Sequence, residues 1–554
     1  MGHSHGKTVI ADVKPVNSAV KTWHSPVNYA ICVSGGGSRA LTYTMGIYRA
    51  LSALKLFEKF DAVSSVSGGT WCSSIFMFAK TYNGKAISTE ELVGQATDPA
   101  QLSMSVLEQP TAPLASGISQ GDSDKLIAEA GAEFVGQEWE VWPHLMSRWL
   151  LRNFDDLNDM MAYMALDDEE VNRVKSKNKH MQEKTFITPR PDRPKIFVMN
   201  GTLLAPLGKE ATNETAVSFQ MSPNFVGSPF YPNNQQVDYH EATDFPCCKC
   251  TRQIWSGKCG SLERTVGGGF VEAFAFGGDA PRKQKGGEGI PVGEPESPWA
   301  LPYAVGTSSW APAGFANVIR IAGKIFNIRR KYWPVTSSIL PEPQKAIEYE
   351  FGDGGLIDNA GILALLQRKA PKIIWVASAP EALSATYDWS SATVESFDPK
   401  EAGVVDMLYV LFGYPGPDTA FYYNNNQVFA KDLCLAFCQE LKSLQDAGKP
   451  IVLRKKLPVM KNAWWGIEGD SEVEFIVVYL AKSTNFESEL PQDTQDELGK
   501  GDSGKLANYP LYKTEMQNGV GDAIGYTPAQ VNLLAAQGEY SVTSNTTLFL
   551  DFLS

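Results

Sequence analysis

Histidine is scarce in this chain, and basic charge is outnumbered. The six histidines are His3, His5, His24, His144, His180 and His240, so none follows position 240. A hydrolase whose base is a histidine following its serine and aspartate in the chain finds no candidate in the C-terminal half. Lysine and arginine number 49 against 62 aspartates and glutamates, a net charge of −13. That balance argues against nucleic acid as a partner and against bulk attraction to anionic membranes. No window approaches the roughly 18 uninterrupted apolar residues that a helical membrane span requires. The opening "MGHSHGKTVIADVKPVNSAVKTW" has no apolar signal core, and Gly6 stands where a myristoylation signal needs Ser or Thr. The expected location is the cytoplasm, with peripheral membrane contact and secretion both left open.

Cysteine is also sparse, with eight in 554 residues. Cys32 and Cys72 sit in apolar segments and are expected as buried thiols, and Cys434 and Cys438 share a helix face by spacing. The dense cluster Cys247, Cys248, Cys250 and Cys259 has three readings: zinc ligands, disulfides, or free thiols on a loop, the last being the plainest.

What is abundant is apolar surface, at 43% of residues, enough for a large core. From 27 to about 90 a strand, a glycine turn, a helix, a second strand, a turn and a second helix alternate. That order predicts an α/β core with a parallel sheet. A strand-like "PKIFVMNGTLL" (194–204) precedes an irregular stretch over about 205–300, rich in Pro, Gly, Asn and Cys. Its length predicts a lid or binding insertion. Strand, turn, helix and strand return in "EYEFGDGGLIDNAGILALLQRKAPKIIWVASAP" (348–380), with further strands at 450–459 and 472–482. The division expected is a polar N-terminal arm (1–26), a catalytic domain (27–482) with its insertion, and a C-terminal extension (483–554).

Three glycine turns follow three of these strands. In "CVSGGGSRA" (32–40) the glycines open a helix, so that bare backbone amides face an anion. In "SSVSGGTW" (64–71), Ser67 occupies a nucleophile-elbow pattern, with Ser65 where glycine is usual. A serine hydroxyl needs a base, and with histidine disfavoured the candidate is Asp353 of "FGDGGLIDNAG". Asp358 is a rival, and turn capping is the plain alternative role for an Asp-Gly.

The three motifs, "SGGGSRA", "SVSGGTW" and "DGGLIDNAG" in this order, resemble the patatin and cytosolic phospholipase A(2) superfamily, most closely its lysophospholipase (phospholipase B) branch. The resemblance covers 27–80 and 300–380, and more loosely the chain up to about 482. It implies a patatin-like three-layer α/β core with a mostly parallel central sheet and a large insertion. It implies a serine acyl hydrolase acting on membrane or micellar phospholipid or lysophospholipid, without cofactor or metal. By resemblance, Ser67 and Asp353 form the catalytic dyad and Gly35, Gly36 and Gly37 the oxyanion hole. Arg39 steadies that loop or meets a substrate phosphate, a surface salt bridge being its bland alternative. The loop "GTSSWAPAG" (306–314) is expected near the site.

Two stretches raise the question of membrane contact. Trp139, Trp142, Met146, Trp149, Leu150 and Phe154 make a near-helical stripe in "EWEVWPHLMSRWLLRNF" (138–154), which suits an interface or, more commonly, a core. The run Arg329, Arg330, Lys331, Tyr332 and Trp333 carries the same two readings.

Overall fold

The apolar runs become neighbouring strands. A computed structural model describes residues 7–14, 26–119, 140–229, 236–242, 262–266, 268–281, 286–313, 327–335, 344–417, 421–513 and 525–554. The cysteine cluster at 247–259 and Trp139 lie outside the described residues. Thirteen strands form the main sheet: β1 (Thr8–Lys14), β2 (Tyr29–Val33), β3 (Ala62–Val66), β4 (Ile196–Pro206), β5 (Val217–Met221), β6 (Phe225–Ser228), β7 (Gly269–Glu272), β8 (Gly287–Gly293), β9 (Ile328–Tyr332), β10 (Ile347–Asp353), β11 (Lys372–Ala377), β12 (Ile451–Val459) and β13 (Ser471–Tyr479). Their order is β8-β1-β7-β6-β5-β4-β3-β2-β11-β13-β12, with β10 branching from β4 and β9 pairing β10.

The five strands from β4 to β13 in this order are mutually parallel. They read as continuous apolar runs because a parallel sheet is covered on both faces. Helix α1 (Gly37–Ala53) links β2 to β3, and α2 (Ser67–Phe78) follows β3 directly. Right-handed crossovers in one direction place both helices on one face.

Strand β4 decides where the chemistry falls. Its first half pairs in parallel with β3, ending at Val66 opposite Asn200. Its second half pairs antiparallel with β10, ending at Asp353 opposite Gly201. Residues 199–203 of β4 pair with β5 as well, so β3 and β10 share the other edge. These two strands run toward each other along that edge and stop at adjacent positions.

Three stretches add structure to the organisation expected from sequence. Over Thr8–Lys14 the supposed arm is a strand pairing β7 and β8, because Val9, Ala11 and Val13 alternate into a buried face. The described part of the 205–300 insertion extends the sheet through antiparallel β5 to β8. The supposed C-terminal extension supplies α5 (Pro528–Thr543), while α3 (Leu301–Ser308) and α4 (Leu433–Asp446) lie between. Helix α5 packs on α1, and residues from Ser38 to Leu51 of α1 are buried all round. A Cβ on Gly46 would lie 1.8 Å from the Ala535 carbonyl oxygen, and one on Gly538 2.4 Å from that of Tyr43. Arg49 and Glu539 add a buried ion pair at 3.1 Å.

The aromatic stripe is core: Met146, Trp149, Leu150 and Phe154 are buried, and Trp142 is half-buried against Trp310. Most of the basic run also turns inward. Arg330 pairs with Glu140 at 2.6 Å and lies 4.4 Å from the Tyr303 ring, and Tyr332 and Trp333 are buried, while Lys331 pairs with Asp279 at the surface.

Because the α1–α5 contact leaves no room for a methyl group, Gly46→Ala is expected to destabilise the fold by about 1–3 kcal/mol. A lowered urea midpoint with unchanged slope would show it; an unchanged midpoint would mean that α5 is not held against α1.

Candidate active site

Ser67 is the first residue of α2 and has φ +50°. A side chain there is strained, at a cost of about 1–3 kcal/mol, and the neighbours must hold it. They do so through small residues and hydroxyls. A Cβ on Gly68 would strike the Gly37 carbonyl oxygen at 2.0 Å, and one on Gly69 that of Ser34 at 2.6 Å. The Ser67 amide donates to Ser308 Oγ at 3.1 Å, Ser308 Oγ lies 2.8 Å from Thr70 Oγ1, and that oxygen lies 2.9 Å from Ser65 Oγ. Ser65 thus sits comfortably in extended β3, bonded to Thr70, and the positive φ falls on Ser67 instead. The departure from the usual glycine costs the elbow nothing.

The Ser67 hydroxyl donates to Asp353 Oδ2 at 3.0 Å across 286 positions of chain. Asp353 is 3% exposed. Its Oδ1 accepts the Gly355 amide at 2.7 Å, and its own amide and carbonyl are fixed by the Trp310 carbonyl and the Thr202 hydroxyl. Burial pushes its pKa from 3.8 to about 7, against the opposing pull of the Gly355 amide and the Ser67 hydroxyl. A carboxylate so poised has the proton affinity a general base needs at neutral pH. Asp358 faces elsewhere: its oxygens accept the amides of Ala360, Gly361 and Leu363. It caps that turn and does not hydrogen-bond Ser67.

The glycine loop lies beside the serine. Gly36 has φ +131° and Gly37 φ +55°, conformations that favour glycine. They stand at the N-terminus of the 17-residue α1, where first-turn amides lack intrahelical partners and the helix dipole favours an anion. Gly35 differs from the expectation. Its amide donates to the Asn359 backbone carbonyl at 3.0 Å, so it is committed to the fold and unavailable to an oxyanion. The role of Gly35 is spatial: a Cβ there would meet Asn359 Oδ1 at 2.1 Å and Ser67 Cβ at 3.1 Å.

Arg39 is buried, which excludes a surface salt bridge. Its Nη1 donates to the Tyr512 carbonyl at 2.8 Å and its Nη2 to that of Ser378 at 3.4 Å. Nη2 also lies 3.2 Å from where a Cβ on Gly36 would be, which is how a brace for the loop is placed. The cavity of about 420 Å³ that Arg39 lines with Glu381, Asn508 and Lys513 is not lined by Ser67 or Asp353.

The residues that reach solvent in this otherwise buried cluster are Gly36, Gly37, Ser67 and Asn359. At this opening a serine hydroxyl, the buried carboxyl it donates to and helix-terminal amides stand together. Ser308 and Trp310 belong to the small-residue loop singled out in the sequence. Thr202 and Asn200, whose amide donates to Ser64 Oγ and the Ser65 carbonyl, lie within β4 and carry no motif. His144, distant in role, is half-buried, and burial lowers its pKa.

Comparison with known proteins gives little sequence kinship. No family model matches the chain, and no curated protein matches it. Among solved structures, human GIVD cytosolic phospholipase A2 is similar with a TM-score of 0.43 and 12% identity, covering 97% of this chain and 64% of that one. The same human protein with methyl gamma-linolenyl fluorophosphonate and terbium chloride gives 0.37 and 14%, covering 97% and 61%. The chain thus spans less than two thirds of the length of those proteins.

The Asp353 carboxyl also sets a pH dependence of stability. Its folded pKa is raised, so between pH 3.8 and about 7 the folded protein keeps a proton that the unfolded chain releases. Stability from this group therefore falls as pH rises through that window. Asp353→Asn is expected to raise stability at pH 8 by at least ~1 kcal/mol, with the gain shrinking toward pH 4. Thermal melting of both proteins across that range checks it, and a constant difference would contradict the burial cost.

Proposed function

We propose that the chain is a serine acyl hydrolase that cleaves fatty acyl esters of phospholipids or lysophospholipids through Ser67 and Asp353. The observation that carries the reading is the 3.0 Å hydrogen bond from an elbow-strained serine to a buried carboxylate. Ser67 Oγ attacks the ester carbonyl carbon and its proton passes to Asp353 Oδ2. The carbonyl oxygen, now negative, is held by the Gly36 and Gly37 amides, with Arg39 bracing their loop. The intermediate collapses, the C–O bond to the alcohol breaks, and Asp353 returns its proton to the departing oxygen. Water then gives its proton to Asp353 and attacks the acyl-enzyme, releasing fatty acid and restoring Ser67. An acceptor alcohol in place of water would give acyl transfer from the same intermediate.

The lipid class rests on the ordered motifs and their resemblance to the patatin and cytosolic phospholipase A(2) superfamily. Among the described residues no helix is long and apolar enough to cross a membrane, so substrate is expected to be met from the water side, as peripheral contact with a membrane or micelle. The alternative reading is a catalytically weak lipid-binding or storage protein of the same fold; Ser65, which bonds Thr70 from extended β3, supports the hydrolase over it.

Fatty-acid release from mixed phospholipid and lysophospholipid vesicles tests the proposal. Ser67→Ala is expected to lower it by more than about 10,000-fold, and Asp353→Asn to a comparable extent. Release that survives in Ser67→Ala would overturn the dyad. Because the unprotonated aspartate is the base, kcat/KM should rise with pH and level off above about 7. A profile flat from pH 5 to 8 would exclude Asp353 as that base.

A further inference from the structure

The side chain of Asn359 has an unusual position. Its backbone carbonyl takes the Gly35 amide, removing one donor from the glycine loop. Its side-chain Oδ1 is lodged between two glycines, lying 2.1 Å from a Cβ placed on Gly35 and 2.8 Å from one placed on Gly355. Ser67 Cβ lies 3.1 Å from that same position on Gly35, so Asn359 and the nucleophile flank one residue. With Oδ1 against the glycines, the NH2 end lies on the other side of the planar amide. Asn359 is half-exposed, while Asp358 and Ala360 on either side are buried. Among the described residues its carboxamide makes no hydrogen bond, although three backbone amides held by Asp358 fix the turn that carries it. A fixed, unspent amide at the mouth of a reactive site is a donor waiting for an acceptor.

We propose that the Asn359 carboxamide is a side-chain donor to the oxyanion, working with the Gly36 and Gly37 amides and replacing the donor that Gly35 gives up. The inference rests on the acyl-hydrolase reading. It makes Asn359 a catalytic residue that touches the carbonyl oxygen of the substrate, with its N–H bond strengthening as negative charge develops there.

An alkyl fluorophosphonate separates the two ideas, because its reaction does not depend on which lipid is the substrate. Ser67 Oγ attacks phosphorus, the O–P bond forms, the P–F bond breaks, fluoride leaves and the serine proton passes to Asp353. The P=O oxygen occupies the oxyanion position during attack. Labelling rates are compared for the wild-type protein, Ser67→Ala, Asn359→Ala and Asn359→Asp at pH 9, above the Asp353 titration, beside hydrolysis of a p-nitrophenyl acyl ester. The wild-type protein should label at Ser67. Asn359→Ala should label and turn over about 100-fold or more slowly, with kcat falling and KM little changed. Asn359→Asp keeps the shape of asparagine but sets a negative charge against the oxyanion, so it should be slower than Asn359→Ala. A packing role would order them the other way, with the isosteric aspartate nearer to the wild-type rate, and that order would overturn the proposal. So would an Asn359→Ala rate within twofold of the wild type. Should Asn359→Ala fail to fold, a near-wild-type rate for Asn359→Asp alone would overturn it. A wild-type protein that does not label, or a Ser67→Ala protein that does, would instead overturn the hydrolase reading itself.

Discussion

Two strands that run toward each other along one edge of β4 are the constraint on which this site depends. Val66 stops opposite Asn200 and Asp353 opposite Gly201, so Ser67 and the Asp353 carboxyl lie where neighbouring pairings end. Backbone register, not a flexible loop, sets their separation. A parallel partner delivers a strand end that turns into a helix, placing Ser67 at the start of α2. An antiparallel partner delivers a strand end from the opposite direction, placing Asp353 against it. An all-parallel core would carry both residues to the same end of the sheet on separate strands. The switch of direction within β4 makes them abut.

That geometry concentrates unfavourable terms at one point. Ser67 holds a positive φ, and Asp353 is a carboxylate almost out of water. Each costs free energy, and each is what the proposed hydrolysis would need: an outward hydroxyl and a carboxylate of neutral affinity. The surroundings hold them without slack. Glycines at 35, 68 and 69 let three loops approach closer than side chains would allow. The hydroxyls of Ser65, Thr70 and Ser308 form a chain that ends on the Ser67 amide. Behind the loop, α1 is clamped between the sheet and α5, with the Arg49–Glu539 pair buried in the contact. The glycine amides thus stand at the start of an enclosed helix.

The parts legible in the sequence are those in which local chemistry and position coincide. Glycines after an apolar strand announce a tight turn wherever they occur, so the three glycine turns were readable locally; grouping Ser67, Asp353, Gly36 and Gly37 as one candidate site came from the resemblance carried by the three ordered motifs. The aromatic stripe at 142–154 was readable as core by helical spacing. What sequence hid is what depends on distant partners. The strand Thr8–Lys14 has only Val9, Ala11 and Val13 to announce it, and its neighbours β7 and β8 lie more than 250 positions on. Strands β5 to β8 are short and separated by glycine, proline and asparagine, so their pattern reads as loop until a sheet edge is there to receive them. Thr202, which holds the Asp353 carbonyl, looks in sequence like any other strand threonine.

Gly35 shows why motif and mechanism are separate questions. Three consecutive glycines look like three equivalent donors, because each has an amide and no side chain to obstruct it. The fold makes them unequal. A hydrogen bond from Gly35 to Asn359 ties the loop to the turn that follows Asp353, which keeps the free glycine amides from drifting relative to the carboxyl. One amide is therefore spent on holding the other two in place. Preorganisation has this character generally: donors that point at developing charge are useful only if other donors are committed to keeping them still. In this chain the commitment runs directly between the glycine loop and the aspartate turn. It couples the position of the Gly36 and Gly37 amides to that of the Asp353 carboxyl across some 320 positions of sequence, with Ser67 held between them.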